Sequence, residues 1–528
     1  MAAVPKSLLT LGASLLTARA SIRLKRSEDA AGTQDRVFKS LIPKLSAATA
    51  WRDAGIERGI RYEAFRERIR PSTYEDLGRF IDRMKAGEPD VLWPGTCSIY
   101  SASSGTATGQ PRTVPVTEEM LAHFKRSGMD SVLWYCARER SRPVFNGRHL
   151  FLGGSTALAP IPESEPFEAY AGGLGAITSL NLPGWVERSY YEPGAEIGQI
   201  ADWQAKIAAI TERTAGADIS LLAGMAPWVL TLAYSLLEHS ANGGRPAHLQ
   251  EIWPRLDCYM HGGLPADPFE DELRSVLGPT VKFHEVYSSA EGFIAAQDAD
   301  SASGLRLMAD AGIFFEFIPM ADFDETRVRS LGQKAVPISG VRTGIDYALV
   351  LTTPAGLTRY VVGDVVRFVS TKPPRITYVG RTNLRLNAFS EQVNEKEITD
   401  ALIAICRRNG WTIVNFHVAP LFSRSTRGLV TGRHEWWVEL KPGTSITPTG
   451  PIMAIELDTE LRRLSREYDA KRNAGGFDAP FVRLVMPGVF EQWMRYHGKW
   501  GGHNKMPRCR SDRIIADELG GALQFAKD

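Results

Sequence analysis

Thr352-Thr-Pro-Ala-Gly-Leu-Thr-Arg-Tyr-Val-Val-Gly-Asp364 alternates β-type residues with punctuation. Pro354-Ala-Gly356 and Gly363 break the run into short strands, because proline fixes φ and glycine accepts turn geometry. The same pattern extends outward. Residues 312–319, 347–353, 357–362, 364–370 and 375–379 are short β-type runs, with Pro373-Pro374 before the last. Together they predict a meander or a small barrel. Asp364 follows Gly363 between two strands. A carboxylate there can accept from both ribose hydroxyls, or it can simply close a hairpin turn.

On the N-terminal side, 34–90 reads as helices, with Trp51, Ile56, Ile60 and Phe65 set among charges. Residues 95–115 turn to Gly, Ser, Thr and Pro, the composition of a loop between strands. Helical periodicity resumes over 118–135, and 149–152 is a short buried strand followed by Gly153-Gly-Ser-Thr156. Ile197, Ile200, Trp203, Ile207 and Ile210 share helical spacing. A second helix is expected over 227–239, with Pro227 at an early position. After Gly380-Arg381 the text becomes mixed: a helix over 395–409 and an alternating strand over 435–440. A boundary near 381–390 is expected, giving domains 1–387 and 388–528. The predicted fold class is α/β: a large N-terminal domain of α/β sheets with a β-barrel-like part, and a smaller mobile α+β C-terminal domain.

The 528 residues carry a net charge of +2, 44% hydrophobic and 23% charged residues, as in ordinary soluble domains with ample core. Near-neutrality gives no reason to expect a nucleic-acid polymer as partner. The five cysteines are scattered, with no Cys-x-x-Cys pair, which argues against a disulfide framework or a zinc site and for a cytoplasmic compartment. Residues 7–20 are apolar, follow Lys6 and end in an Ala-x-Ala pattern, so they read as either a short secretory signal or a helix. Leu8, Leu11 and Leu15 on one face favour the helix. No run of about 20 apolar residues exists, so no spanning helix and no membrane partner are expected.

Three further stretches concern phosphate. Ser101-Ala-Ser-Ser-Gly-Thr-Ala-Thr-Gly-Gln-Pro-Arg112 packs donors densely: Ser103, Ser104, Gly105, Thr106, Thr108 and Gly109. Glycine permits close backbone approach and the hydroxyls add donors, which is what a triphosphate requires. It lacks the Gly-Lys-Ser/Thr of a Walker loop, and alone it could be an ordinary polar loop. Tyr287-Ser-Ser-Ala-Glu291 sets an aromatic face four residues from a carboxylate. Gly501-Gly-His-Asn-Lys-Met-Pro-Arg508 is a glycine-led basic segment.

Ser-Ser-Gly-Thr, then Gly and a basic residue, resembles the phosphate loop of adenylate-forming enzymes, which commonly carry Lys where this chain has Arg112. With Tyr287–Glu291, 314–319 and 352–364, the resemblance narrows to the acyl-acid amido synthetases of the Gretchen Hagen three (GH3) family. These are the auxin- and jasmonate-conjugating type, with plant and bacterial members. It covers about 95–510 and is weakest over 160–260. It implies that ATP and Mg²⁺ are used and that Ser103, Ser104, Gly105, Thr106, Thr108, Gly109 and Arg112 hold phosphates. It further implies that Tyr287 stacks adenine with Ser289 beside it, that Glu291 binds Mg²⁺, and that Asp364 takes the ribose. Arg381 is implied near ribose and phosphates, with Arg385 a weaker candidate, and Lys505 is implied as the catalytic cation. Residues 383–391 depart from the family's lysine-rich pattern.

The expected activity is an ATP-dependent ligase. A small carboxylic acid is adenylated with release of pyrophosphate, and an amine, expected to be an amino acid, takes the acyl group. No obligate protein partner is inferred. The nearest rival passes the acyl group to coenzyme A or another thiol. A second rival is an ATP-independent serine acyltransferase or hydrolase on Ser155, although Ala157 stands where a nucleophile elbow needs Gly. A third is a nucleotide-binding protein without turnover. His434-Glu435 and His284-Glu285 lack the second histidine of a zinc helix.

Overall fold

The computed structural model describes residues 12, 15–22, 24, 29–103, 112–140, 143–243, 246–263, 266, 269–382, 385–386, 388–389, 391, 393–424, 430–441, 448–475, 477–497, 506–510 and 512–525. Residues 15–22 are helical. Among the described residues no helix is long and apolar enough to cross a membrane.

Side-chain caps start the helices that begin at Glu118, Trp203 and Glu395. α1 (Tyr62–Arg68) lies in the helical N-terminal stretch. The Thr117 hydroxyl accepts from Met120 N at the start of α2 (Glu118–Glu139). The expected helix over 196–210 is two: α3 (Ala195–Gln199) and α4 (Trp203–Thr214). The break falls at Asp202, whose carboxylate accepts from Ala205 N and so restarts the helix. α5 (Ala226–His239) carries Pro227 in its first turn. α6 (Glu395–Asn409) matches its expected range because a capping box, Asn394 with Glu397, starts it. Gly410, at φ +68°, ends it. α7 (Val489–Tyr496) buries Val489, Phe490, Trp493 and Met494.

β1 (Ile99–Ser103) and β2 (Arg112–Pro115) form an antiparallel pair in a four-stranded sheet. A second sheet has twelve strands. Its centre is a parallel run of β3 (Arg148–Phe151), β4 (Ile219–Ala223), β5 (Cys258–Gly262) and β6 (Lys282–Ser289). β7 (Gly292–Ala296) turns back antiparallel to β6. At the other end β8 (Phe314–Pro319), β9 (Asp346–Thr352), β10 (Tyr360–Thr371) and β11 (Pro374–Arg381) are neighbours in that order. The β-rich stretch read as a meander or barrel-like part is thus the meander end of this sheet. Two of the expected runs merge into β10, with Gly363 at φ +86° inside it. Helices α4 and α5 bury Ile207, Ile210, Val229 and Leu236 in a core with Leu222 and Trp253.

The chain divides into two units. The larger holds 1–105, 110–362 and 366–377; the smaller holds 106–109, 363–365 and 378–528. The main division thus falls at 377/378, against an expected 387/388. In the smaller unit β12 (Ile413–Arg424) pairs antiparallel with β13 (Val430–Leu440), and β14 (Phe481–Val485) adds parallel to β13. α6 packs with Val418, Trp436 and Val438 of this sheet in one apolar cluster.

Arg359 is fully buried, at φ +48°, in the larger unit. Its Nε and Nη2 donate to Glu316 Oε2 and Oε1 at 2.9 and 2.8 Å. Its Nη1 donates to the carbonyls of Arg66 and Ile69, and Nη2 also reaches Gly332 O. Tyr62 donates its hydroxyl to Glu316 Oε1 at 2.9 Å. A buried ion pair of this kind stabilises only while both partners are present. Arg359→Met should therefore cost about 3–5 kcal/mol by leaving Glu316 uncompensated. The double variant Arg359→Met/Glu316→Leu should recover part of that loss, read by thermal melting of all three proteins.

Three buried histidines each meet a backbone carbonyl through Nδ1 or Nε2: His123 to Ala311 O, His149 to Val144 O and His417 to Pro507 O. Burial pushes each imidazole down from 6.5 to about 4, and in each case desolvation is the largest cause. The folded pKa lies below the unfolded one, so the unfolded chain takes up the proton first as pH falls. These groups cost no stability above about pH 6.5. The loss grows as pH falls from 6.5 to 4 and reaches roughly 3 kcal/mol each below that. Melting temperature followed from pH 7 to 4 should fall steeply, and a His149→Asn variant should show a shallower acid slope.

Candidate active site

In open α/β sheets, ligands bind outside the carboxyl ends of parallel strands. β3, β4, β5 and β6 run parallel, so their carboxyl ends share one edge. Tyr287 and Ser289 lie at the end of β6, and Glu291 sits in the turn into β7, where Ser289 pairs with Gly292. Tyr287 and Glu291 are both buried, at 9% and 8% exposed. The Ser289 hydroxyl accepts from Glu291 N at 3.3 Å, which shapes the turn. A Cβ on Gly292 would lie 2.3 Å from Ile313 Cδ1, so the glycine lets that side chain pack against the turn.

His123 pins this turn from below. Its Nδ1 donates to Ala311 O at 2.6 Å and its Nε2 accepts from Phe293 N at 2.9 Å. The depressed pKa keeps the ring neutral, so both roles persist at neutral pH.

Asp364 and Arg381 are brought together in the smaller unit. Arg381 Nη1 stands 3.1 Å from Asp364 Oδ1. Gly363 makes room for this pair: a Cβ there would sit 3.0 Å from Arg381 Nη2. Thr382 N donates to Gly363 O at 2.8 Å and closes the contact. Tyr378 is half-buried beside them. Burial pushes its hydroxyl well up, the charges of Asp364 and Glu395 add to that, and Arg381 and Arg508 oppose it. The cluster therefore sets two carboxylates against two guanidinium groups around a neutral phenol. A carboxylate held this way can accept from vicinal hydroxyls.

Arg112 begins β2 and donates to Glu75 Oε1 at 2.7 Å, with its guanidinium 5.4 Å from the Tyr74 ring centroid. Ser103 ends β1. Ser104, Gly105, Thr106, Thr108, Gly109 and Lys505 lie outside the described residues, as do the side chains of Ser103 and Arg385. Ser155 is a turn-closing serine: its hydroxyl donates to Gln199 O at 2.8 Å and accepts from Ala157 N at 3.2 Å.

Sequence reasoning missed His123, Glu316, Tyr378 and the pairing of Arg381 with Asp364. His123 and Glu316 act through partners far away in the chain, and no local pattern marks them. The only local signal for the Asp364 pair was glycine before aspartate.

A magnesium ion is held by one or two carboxylates together with phosphate oxygens and waters. Glu291 at the strand edge fits that use. No group of three or more His, Cys, Asp or Glu able to cage a metal occurs among the described residues.

The chain matches the GH3 family N-terminal domain over 23–282, the GH3 family central domain over 306–381 and the GH3 family C-terminal domain over 396–514. It is 24% identical to indole-3-acetic acid-amido synthetase GH3.8 of Oryza sativa subsp. indica, over 90% of this chain and 87% of the relative. It is 26% identical to indole-3-acetic acid-amido synthetase GH3.10 of Arabidopsis thaliana, over 85% and 86%. Among solved structures, AtGH3.15 acyl acid amido synthetase in complex with 2,4-DB superposes with a TM-score of 0.76 at 18% identity, covering 96% of each chain. A 2-hydroxyisobutyryl-CoA ligase in the postadenylation state shares the fold at a TM-score of 0.59 and 15% identity, over 95% and 93%. With all three family domains matched in order along the chain, this protein belongs to the GH3 family.

Proposed function

We propose that this protein is an ATP-dependent acyl-acid amido synthetase. The observation that carries the reading is the placement of Tyr287, Ser289 and Glu291 at the carboxyl edge of the parallel strands, in a chain with all three GH3 domains. A carboxylate oxygen of the acid attacks the α-phosphorus of ATP and pyrophosphate leaves. An amine nitrogen, here assigned to an amino acid, then attacks the acyl carbon. The bond to AMP breaks, AMP leaves with the bridging oxygen, and the amine's surplus proton goes to solvent.

In this assignment Tyr287 stacks the adenine, Asp364 accepts from the ribose hydroxyls, and Arg381 holds Asp364 in place beside the phosphates. Ser103, Ser104, Gly105, Thr106, Thr108, Gly109 and Arg112 cradle the phosphates. Glu291 holds Mg²⁺, which when bound neutralises phosphate charge. Lys505 offsets the negative charge that develops at the α-phosphate. The compartment is proposed to be the cytoplasm, where ATP is available.

Pyrophosphate release with Mg²⁺-ATP, over a panel of carboxylic acids with and without mixed amino acids, tests the reading. Acid-dependent release with an amide and AMP as products supports it. A thioester formed only with coenzyme A would reassign the acceptor, and acyl transfer without ATP would overturn the reading. Lys505→Ala should lower pyrophosphate release by about 100-fold or more while nucleotide still binds. Glu291→Gln should raise the Mg²⁺ concentration needed for half-maximal release, with folding unchanged by melting.

A further inference from the structure

The N-terminal helix has a face that the proposed reaction does not use. Over residues 15–22, Leu15, Leu16 and Ile22 are exposed at 60%, 45% and 53%. Leu15 and Ile22 are seven residues apart, about two helical turns, so they share one face. Arg19 lies between them on that face and is exposed. Ala20, about 140° round the helix from Leu15, is buried. Just beyond, Leu24 O accepts from Arg306 Nη2 at 3.0 Å, and Arg306 belongs to Leu305–Leu307 of the twelve-stranded sheet. The helix therefore packs by its Ala20 side, and Leu15 and Ile22 face solvent.

Charge says what that outward face suits. Residues 1–27 hold five cationic side chains, Lys6, Arg19, Arg23, Lys25 and Arg26, and no carboxylate side chain; the first is Glu28. The whole chain carries only +2, so the excess is local. A helix with exposed apolar side chains among cations lies in the interface of a bilayer, its apolar groups at the acyl boundary. Arginine stems cover apolar surface while their heads reach the headgroup phosphates. Cations without anions match a surface of negatively charged lipids. An apolar groove on a protein partner would leave those charges without counterparts.

We propose that residues 15–22 bind the surface of a bilayer carrying anionic lipids, with Leu15 and Ile22 inserted and Arg19 at the headgroups. No helix among the described residues is long and apolar enough to span, and binding in the interface requires no span. A few apolar side chains without a lipid anchor make the attachment weak and reversible. The inference goes beyond the amido-synthetase reading and stands without it.

The test is co-sedimentation of the full chain with vesicles of phosphatidylcholine, alone or with about 30% phosphatidylglycerol. Binding to the anionic vesicles should be tighter by about tenfold or more. Raising the salt from about 0.05 to about 0.5 M should remove most of that difference. Leu15→Ser/Ile22→Ser should weaken binding about tenfold. Arg19→Gln should weaken it about fivefold. Both variants should melt like the wild type, because these side chains are exposed. Equal binding to the two vesicle types, no binding to either, or binding that the leucine variant retains overturns the proposal. So does a mature N-terminus beyond residue 22, read by mass spectrometry of the protein isolated from its source cells. A dimer in solution that the leucine variant dissolves assigns the face to a second copy and overturns it as well.

Discussion

Arg359 is the constraint on which the larger unit depends. Five hydrogen bonds use its guanidinium fully, two to Glu316 and three to backbone carbonyls. Glu316 accepts a further bond from Tyr62, whose hydroxyl burial keeps neutral and donating. Moving such an ion pair out of water costs several kcal/mol per ion, so it survives only where every lone pair and proton has a partner. The partners come from α1, β8 and the segment ahead of Val336, so one side chain fixes three elements around the start of β10. The left-handed backbone at Arg359 turns the chain into that strand. Asp364 lies five residues further along the same strand.

The fold was legible where local chemistry decides it. α6 was readable to the residue because its cap and its C-terminal glycine are both local signals. α3 and α4 were read as one helix because apolar periodicity ran through Asp202; the cap outweighed the period. β10 was read as two runs because Gly363 looks like a break, yet the strand tolerates its positive φ in order to seat Arg381. The site was legible in the same measure. Tyr287, Glu291 and Asp364 stand out because their neighbours are small or glycine. His123 does not, because what it does depends on Phe293 and Ala311, which sequence spacing does not bring together.

Charge is distributed unevenly beneath a near-neutral total of +2. Arg359, Arg381 and Arg375 each face a carboxylate, and their fields are largely cancelled at a distance. Lys206 faces carbonyl dipoles only.

The chain on either side of residues 498–505 is anchored within the smaller unit. On its amino side, Gly488 N and Phe490 N donate to Glu439, and α7 is seated by Trp493 and Met494. On its carboxyl side, Pro507 O takes the His417 bond, Val418 N donates to Arg508 O, and Arg510 N donates to Val418 O. Glu439 lies on β13 and His417 and Val418 lie on β12, so both flanks of residues 498–505 are tied to the same antiparallel pair.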